Sequence, residues 1–260
     1  MACFHQDVTN LTNQLILHSG SPGHCIEVGD GVFSSWYMPM QKQVKFVCDK
    51  VKSMKELKNG YNIVGLSQGN LIARGVIQLC DGGPPVRNYV SLAGPHAGLA
   101  APILCGPSTF CILADRIIKY NIYSKFVQDH SSLSGYLKLP NNIIGYLNGC
   151  KFLPMLNNEI PSQRNSTYKS RFTSLQNLVL IMFEDDKVIV PKETSWFGFY
   201  PDGKFEPVLQ PQKTKLYEED WIGLKMLTES GRLKYISVGG AHIDLSYADM
   251  LRYVVPYLKA

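Results

Sequence analysis

The stretch Tyr61–Gly75, YNIVGLSQGNLIARG, decides the fold. An apolar run, Tyr61 to Leu66, breaks at Ser67 between Gly65 and Gly69 and gives way to a helical pattern. Gly65-Leu66-Ser67-Gln68-Gly69 fits Gly-x-Ser-x-Gly, in the strand–turn–helix setting which that pattern requires. The glycines have a steric reason. In so tight a turn, side chains two residues either side of the serine would collide with neighbouring backbone. The serine hydroxyl would then stand exposed above a helix N-terminus, whose positive end favours developing negative charge. An ordinary Gly/Ser turn is the competing reading, so partners for Ser67 must be sought elsewhere in the chain.

Outward from this stretch, strand-like and helix-like segments alternate, which favours an α/β fold with a mostly parallel sheet and helices on both faces. The short apolar piece HCIEVG precedes Met38 to Leu57, where Val44, Val47, Val51 and Met54 recur at helical spacing. YNIVGL reads as a buried strand and Gln68 to Leu79 as the helix after it. VRNYVSLAG, LQNLVLIMF and LKYISVGG read as further strands, and LQNLVLIMF, the most continuous apolar run, as a central one. Ser246 to Leu258 reads as a closing amphipathic helix. The distance from Gly94 to Leu178 far exceeds the roughly 2–6 residues of a strand-to-helix loop. It holds helical stretches such as Ile112 to Val127 and suggests a cap over the sheet's carboxyl edge, where α/β proteins bind ligands.

A serine hydroxyl is a weak nucleophile until a base takes its proton, and the base needs an acid to orient it. Of the six histidines, His5, His18 and His24 precede Ser67 and His130 lies in the insert. His96, in LAGPHAG, is expected to line the pocket or pack under the cap without moving a proton. His242, in VGGAHIDLS, follows the last strand on a glycine-freed loop. It alone satisfies both position and the chain order serine, acid, histidine. The acid should follow a strand between the two, and Glu184, Asp185 and Asp186 all stand directly after LVLIMF. Spacing does not choose between Asp185 and Asp186. No paired His or Cys with a third ligand nearby suggests a metal site.

The chain has 260 residues, 45% hydrophobic and 18% charged, which suits one sizeable α/β domain and excludes a disordered chain. A net charge of +5 with scattered lysines, and no basic block with interleaved aromatics, excludes nucleic acid as a reasonable partner. No apolar run reaches the roughly 18 residues of a membrane span. The N-terminus shows no basic stretch followed by an apolar one, so no signal peptide is visible. Yet seven cysteines accompany two glycosylation sequons, at Asn10 and Asn165, a combination that hints at the secretory pathway.

GYNIVGLSQGN, GGPPVRNYVSLAGPHAG, WFGFYPDG and KLYEEDWIGLK together resemble the palmitoyl-protein thioesterases, lysosomal or vacuolar α/β-hydrolases that remove long acyl chains from cysteine thiols. The resemblance runs from about Cys3 to Tyr257. It implies a single α/β-hydrolase domain over 1–260 with a cap insertion at about 98–172. It implies Ser67 as nucleophile, Asp186 as acid, His242 as base and the Gln68 backbone N–H as oxyanion donor. Asp186 is chosen because the family's acid stands five residues before the proline that Pro191 matches. Disulfides Cys48–Cys80 and Cys105–Cys111 are implied as well. A Cys3–Cys25 pair is conjecture, and Cys150 is then left over. The implied substrates are S-acylated proteins or peptides and acyl thioesters, with no cofactor. The implied location is lysosomal, vacuolar or extracellular. Leu99, Ile103, Leu104, Phe110 and Ile112 could shape a groove for the fatty chain, though core packing explains them equally.

One departure stands out. Family members begin with a leader and a strand ending in His-Gly-x-Gly-Asp, whereas Met1 and Ala2 stand here where that motif should end. The missing loop would supply a second oxyanion donor, whose loss costs about 100- to 1,000-fold in rate. The missing strand would pair with the nucleophile strand in mid-sheet. These residues alone are therefore expected to be poorly active and poorly stable, with a native start further upstream.

Overall fold

The structure, a computed structural model, describes residues 2–100 and 121–259. The chain opens with helix α1 (Gln6–Ser19), which ends at Gly20 in the left-handed region, at φ 69°. A short helix α2 (Val32–Tyr37) and the longer α3 (Met40–Ser53) follow, then strand β1 (Tyr61–Leu66) and helix α4 (Gly69–Leu79). Strands β2 (Val86–Leu92), β3 (Asn177–Phe183) and β4 (Leu233–Val238) join β1 in a sheet that has four strands among the described residues, in the order β1-β2-β3-β4 and parallel throughout. Parallel strands need crossovers, and α4 supplies the one between β1 and β2. The register carries Leu66 beside Leu92 and Leu92 beside Ile181, so the carboxyl ends of neighbouring strands finish level.

Both faces of the sheet are covered, which is why β3 reads as an unbroken apolar run. On one face, Ala73 and Ile77 of α4 pack with Tyr89, Leu178 and Leu180. On the other, Leu15 of α1 joins Met250 and Val254 against Val90, Val179 and Ile181. Helix α3 buries Val44 and Val51, as its spacing implies. It approaches α4 closely at Gly75, where a Cβ would stand 2.3 Å from a Val44 methyl. Cys48 of α3 is bonded to Cys80 at the end of α4, and Cys3 to Cys25. Cys150 is a free, buried thiol, and Cys105 and Cys111 lie outside the described residues.

The expected strands and the α3 and α4 helices appear within a few residues of their anticipated limits. Three regions differ from expectation. Helix α1 was not anticipated. The closing segment is no continuous helix: it runs as an α-turn (Tyr247–Asp249), a π-turn (Met250–Val254) and a 3-10 turn (Val255–Tyr257). Pro256 explains the break, since it lacks an N–H and its ring crowds the carbonyl four residues back. In the insert between β2 and β3, the anticipated helix over Ile112–Val127 falls mostly outside the described residues, and a helix is found at Lys125–His130.

The N–H groups of Tyr61 and Ser67 donate to the carbonyls of Pro85 and Leu92. Alternation therefore turns the backbone groups of Asn62, Val64 and Leu66 away from β2, and among the described residues none has a backbone partner. Beside this free edge lies a cavity of about 950 Å³, walled by Leu15, Ile26, Val28 and Val51 and reaching Ser67.

Candidate active site

Ser67 occupies the bend between β1 and α4 with φ 48°, in the left-handed region that a non-glycine residue rarely enters. The bend is held from beneath. Asn70, fully buried, donates from Nδ2 to the carbonyls of Ser67 (3.1 Å) and Leu92 (2.8 Å), and the Tyr89 hydroxyl donates to its Oδ1 at 2.9 Å. A Cβ on Gly65 would stand 2.2 Å from Asn70 Oδ1 and 3.0 Å from Asn70 Cα. At Gly69 it would meet nothing within 4 Å. Crowding thus accounts for the first glycine of the motif and not, as expected from sequence, for both.

His242 sits on the loop after β4. Its Nε2 lies 2.9 Å from Ser67 Oγ and its Nδ1 lies 2.7 Å from Asp186 Oδ2. Two features aim this loop. Gly240 has φ 106°, and Ile243, next to the histidine, has φ 56°, a conformation that a β-branched residue adopts only under constraint. The loops after β3 and β4 are stitched together by Asp185 N–H donating to the Gly240 carbonyl and Glu184 N–H to that of Val238.

Of the three acids after β3, Glu184 and Asp185 are exposed and Asp186 is buried. The Oδ1 of Asp186 accepts from the backbone N–H of Val188 (2.9 Å) and Ile189 (3.0 Å), leaving Oδ2 for the histidine. Burial opposes ionisation of this carboxyl. Hydrogen bonds from His242 and from the two amides outweigh it, so Asp186 titrates below its ordinary 3.8. The site therefore holds one hydroxyl, one imidazole and one fixed negative charge in line, at the carboxyl edge of the sheet.

The backbone N–H of Gln68 makes no hydrogen bond among the described residues. Its side chain is fully engaged: Oε1 accepts from the Tyr136 hydroxyl at 3.0 Å, and Nε2 donates to the Ser35 carbonyl at 3.0 Å. Sequence reasoning missed Tyr136, Asn70 and Ile243. Each acts from an interior or strained position to which no short motif points.

His96 is a core residue. It is fully buried, its Nε2 lies 2.8 Å from Ser91 Oγ, its ring stacks on Phe197 at 4.6 Å, and burial holds its pKa well below 6.5. Of the two readings for it, packing is what is found. Leu99 is likewise fully buried in the core and does not border the cavity beside Ser67, while Ile103, Leu104, Phe110 and Ile112 lie outside the described residues. Among the described residues no group of three or more His, Cys, Asp or Glu could hold a metal, and no helix is long and apolar enough to cross a membrane. Asn165 caps the helix Ser166–Thr173 by accepting from Thr167 N–H at 2.9 Å, and Asn10 is exposed on α1.

A parallel sheet covered on both faces, with a serine on the bend after one strand and a histidine and an acid on the loops after two others, defines an α/β-hydrolase. A family model for palmitoyl protein thioesterase matches residues 2–242. Palmitoyl-protein thioesterase 1 of Caenorhabditis elegans is 40% identical over 227 residues, covering 85% of this chain and 75% of that protein. Palmitoyl-protein thioesterase 3 of Dictyostelium discoideum is 36% identical over 240 residues, covering 90% and 81%. Lysosomal thioesterase PPT2-B of Xenopus laevis is 32% identical, covering 78% and 69%. The crystal structure of carboxyl esterase 2 from Tuber melanosporum aligns over 96% of this chain and 72% of its own, but with a TM-score of 0.37 and 12% identity the likeness is too distant to bear on anything here. The chain belongs to the palmitoyl protein thioesterase family, a family of thioester-hydrolysing enzymes.

Proposed function

We propose that this protein removes palmitoyl and similar long acyl groups from cysteine side chains of S-acylated proteins or peptides, with Ser67, His242 and Asp186 as a catalytic triad. Ser67 Oγ attacks the thioester carbonyl while His242 Nε2 takes its proton. The tetrahedral oxyanion is met by the free N–H of Gln68 at the start of α4. Collapse breaks the carbon–sulfur bond, and His242 returns the proton to the departing thiolate. Water then attacks the acyl-serine with His242 again as base, the bond from the carbonyl carbon to Ser67 Oγ breaks, His242 returns the proton to Oγ, and the fatty acid is released. Asp186 stays ionised, holds the imidazole in one tautomer and balances the imidazolium. No cofactor takes part.

The observation that carries this reading is the hydrogen-bonded chain of 2.7 and 2.9 Å that ends on a serine held at φ 48°. The insert between β2 and β3 is then the cap that covers the acyl chain. The Cys3–Cys25 and Cys48–Cys80 bonds fit an oxidising compartment, and relatives named lysosomal thioesterases point to the lysosome, with Asn165 and Asn10 as glycan acceptors. Comparing turnover of a palmitoyl thioester with that of a palmitate oxygen ester tests the substrate class. Preference for the thioester, abolished by Ser67→Ala, is expected. Preference for the oxygen ester would make the protein a lipase or carboxylesterase. Failure of Ser67 to react with a fluorophosphonate would make it a silent acyl- or protein-binding form.

A further inference from the structure

We propose that Tyr136 is a positioning residue for the oxyanion donor: through the carboxamide of Gln68 it fixes the peptide that links residues 67 and 68. This inference deepens the reaction proposed above and rests on it. The backbone N–H of Gln68 is unengaged among the described residues, whereas its side chain is clamped from separate parts of the fold. The Tyr136 hydroxyl donates to Oε1 at 3.0 Å, the Ser35 carbonyl in α2 accepts from Nε2 at 3.0 Å, and Gln43 Oε1 of α3 lies 3.5 Å away.

The clamp is rigid at each end. Tyr136 is 2% exposed, and its hydroxyl makes no other hydrogen bond among the described residues. A buried hydroxyl without a partner is costly, so the pairing with Gln68 is strongly preferred to none. Burial also pushes the phenol up, so it remains a donor throughout the working pH range. The Tyr136 carbonyl accepts from Leu99 N–H at 3.0 Å, which anchors it just beyond β2. The acceptor at Ser35 is held in turn by the hydroxyl of Ser132, whose N–H donates to the Trp36 carbonyl at 2.9 Å. One short stretch of the insert, Ser132 to Tyr136, thus secures both ends of the carboxamide.

Such a clamp serves the geometry of the bend. Ser67 is strained, and relaxation of its φ would rotate the peptide that carries the Gln68 N–H. An oxyanion donor works only within a few tenths of an ångström of its position, about 2.7–3.1 Å from the developing charge. Tying the side chain of the donor residue to three walls resists that rotation without blocking the N–H.

A double-mutant cycle of Tyr136→Phe, Gln68→Met and the pair tests this, read as kcat and KM for a palmitoyl thioester and as the rate at which a fluorophosphonate modifies Ser67. Tyr136→Phe is expected to lower kcat and the modification rate about tenfold, short of the roughly 100- to 1,000-fold for losing a whole donor, with KM within about twofold. The double variant should be no slower than Gln68→Met alone, because Gln68→Met already removes the bond to Tyr136 along with those to Ser35 and Gln43. Should Tyr136→Phe fail to fold, Gln68→Met breaks the same bond from the other side together with those to Ser35 and Gln43, and is expected to lower both rates at least about tenfold with KM within about twofold. The proposal is overturned if Tyr136→Phe leaves both rates within about twofold of wild type, if the losses multiply in the double variant, or if KM alone rises. A wild-type protein that reacts with the fluorophosphonate yet spares palmitoyl thioesters would remove the proposed substrate and leave the clamp to be judged on the modification rates.

Discussion

Ser67 takes its strain from one neighbour more than the other. Gly65 has backbone and carboxamide of Asn70 against it, while Gly69 faces open space. Gly65→Ala is therefore expected to abolish activity and to destabilise by about 2–3 kcal/mol, whereas Gly69→Ala folds and retains most of its turnover. Parallel thermal melts and thioester assays check the contrast. At Asp186 the sign of the pH effect follows from its lowered pKa. The carboxylate's contribution to stability is complete above the ordinary value of 3.8 and is lost as pH falls through the lower folded value. Asp186→Asn should flatten the acid limb of stability against pH below about 4 and lower kcat by about 10,000-fold through the wrong imidazole tautomer. The serine and histidine were legible because each carries a local signature: a Gly-x-Ser-x-Gly bend, and a glycine-freed loop after the last strand. Asp186, the residue that meets His242, was not separable from Asp185 by pattern, since burial depends on a turn that points Asp186 inward and Asp185 to solvent. The family resemblance chose it.

Helices α3 and α4 are joined three ways, by the close approach at Gly75, by Val44 and Leu71 in one core cluster, and by the Cys48–Cys80 bond. That bond closes a 32-residue separation, so Cys48→Ser with Cys80→Ser should lower stability by about 3–4 kcal/mol in denaturant titrations, with kcat little changed. Arg74, fully buried in α4, donates to Gln78 Oε1 and to the carbonyls of His96 and Leu156, and its guanidinium lies over the ring of Phe197 at 4.8 Å. Burial pulls its pKa down to about 9, which leaves it charged. Arg74→Ala should cost about 2–4 kcal/mol by leaving Gln78 Oε1 without a donor and a void beside Phe172 and Phe197, while the carbonyls of His96 and Leu156 keep Asn157 and Gln78 as donors. Elements with a strong period, such as α3 and β3, could be read from the chain. Helix α1 carries its inward residues, Leu11 and Leu15, among polar ones, and the closing segment hides its irregularity behind an amphipathic pattern that Pro256 interrupts.

At the scale of the molecule, β1 is an edge of the sheet among the described residues, and the outward amides of Asn62, Val64 and Leu66 border the cavity that reaches Ser67. Those amides should exchange with solvent at least about 100-fold faster than the amides of β3, which is flanked on both sides, and exchange measured at single-residue resolution reads this directly. The layered α/β plan was visible in the alternation of segments. That β1 would lack a partner on one side followed from the family resemblance and not from any pattern within the strand, because pairing is settled by contacts far apart in sequence. Ser67 thus stands on the bend after an edge strand of the sheet, held by Asn70 from below and by Gln68 and its partners from the side. The claim on which the function stands is that an acyl group passes through Ser67. Rapid quenching of the protein with a palmitoyl thioester, followed by peptide mass analysis, tests it most directly. A palmitoyl adduct on the Ser67 peptide, absent in Ser67→Ala along with turnover, is the expected result. Turnover that survives in Ser67→Ala, with no adduct on the wild-type peptide, would contradict it.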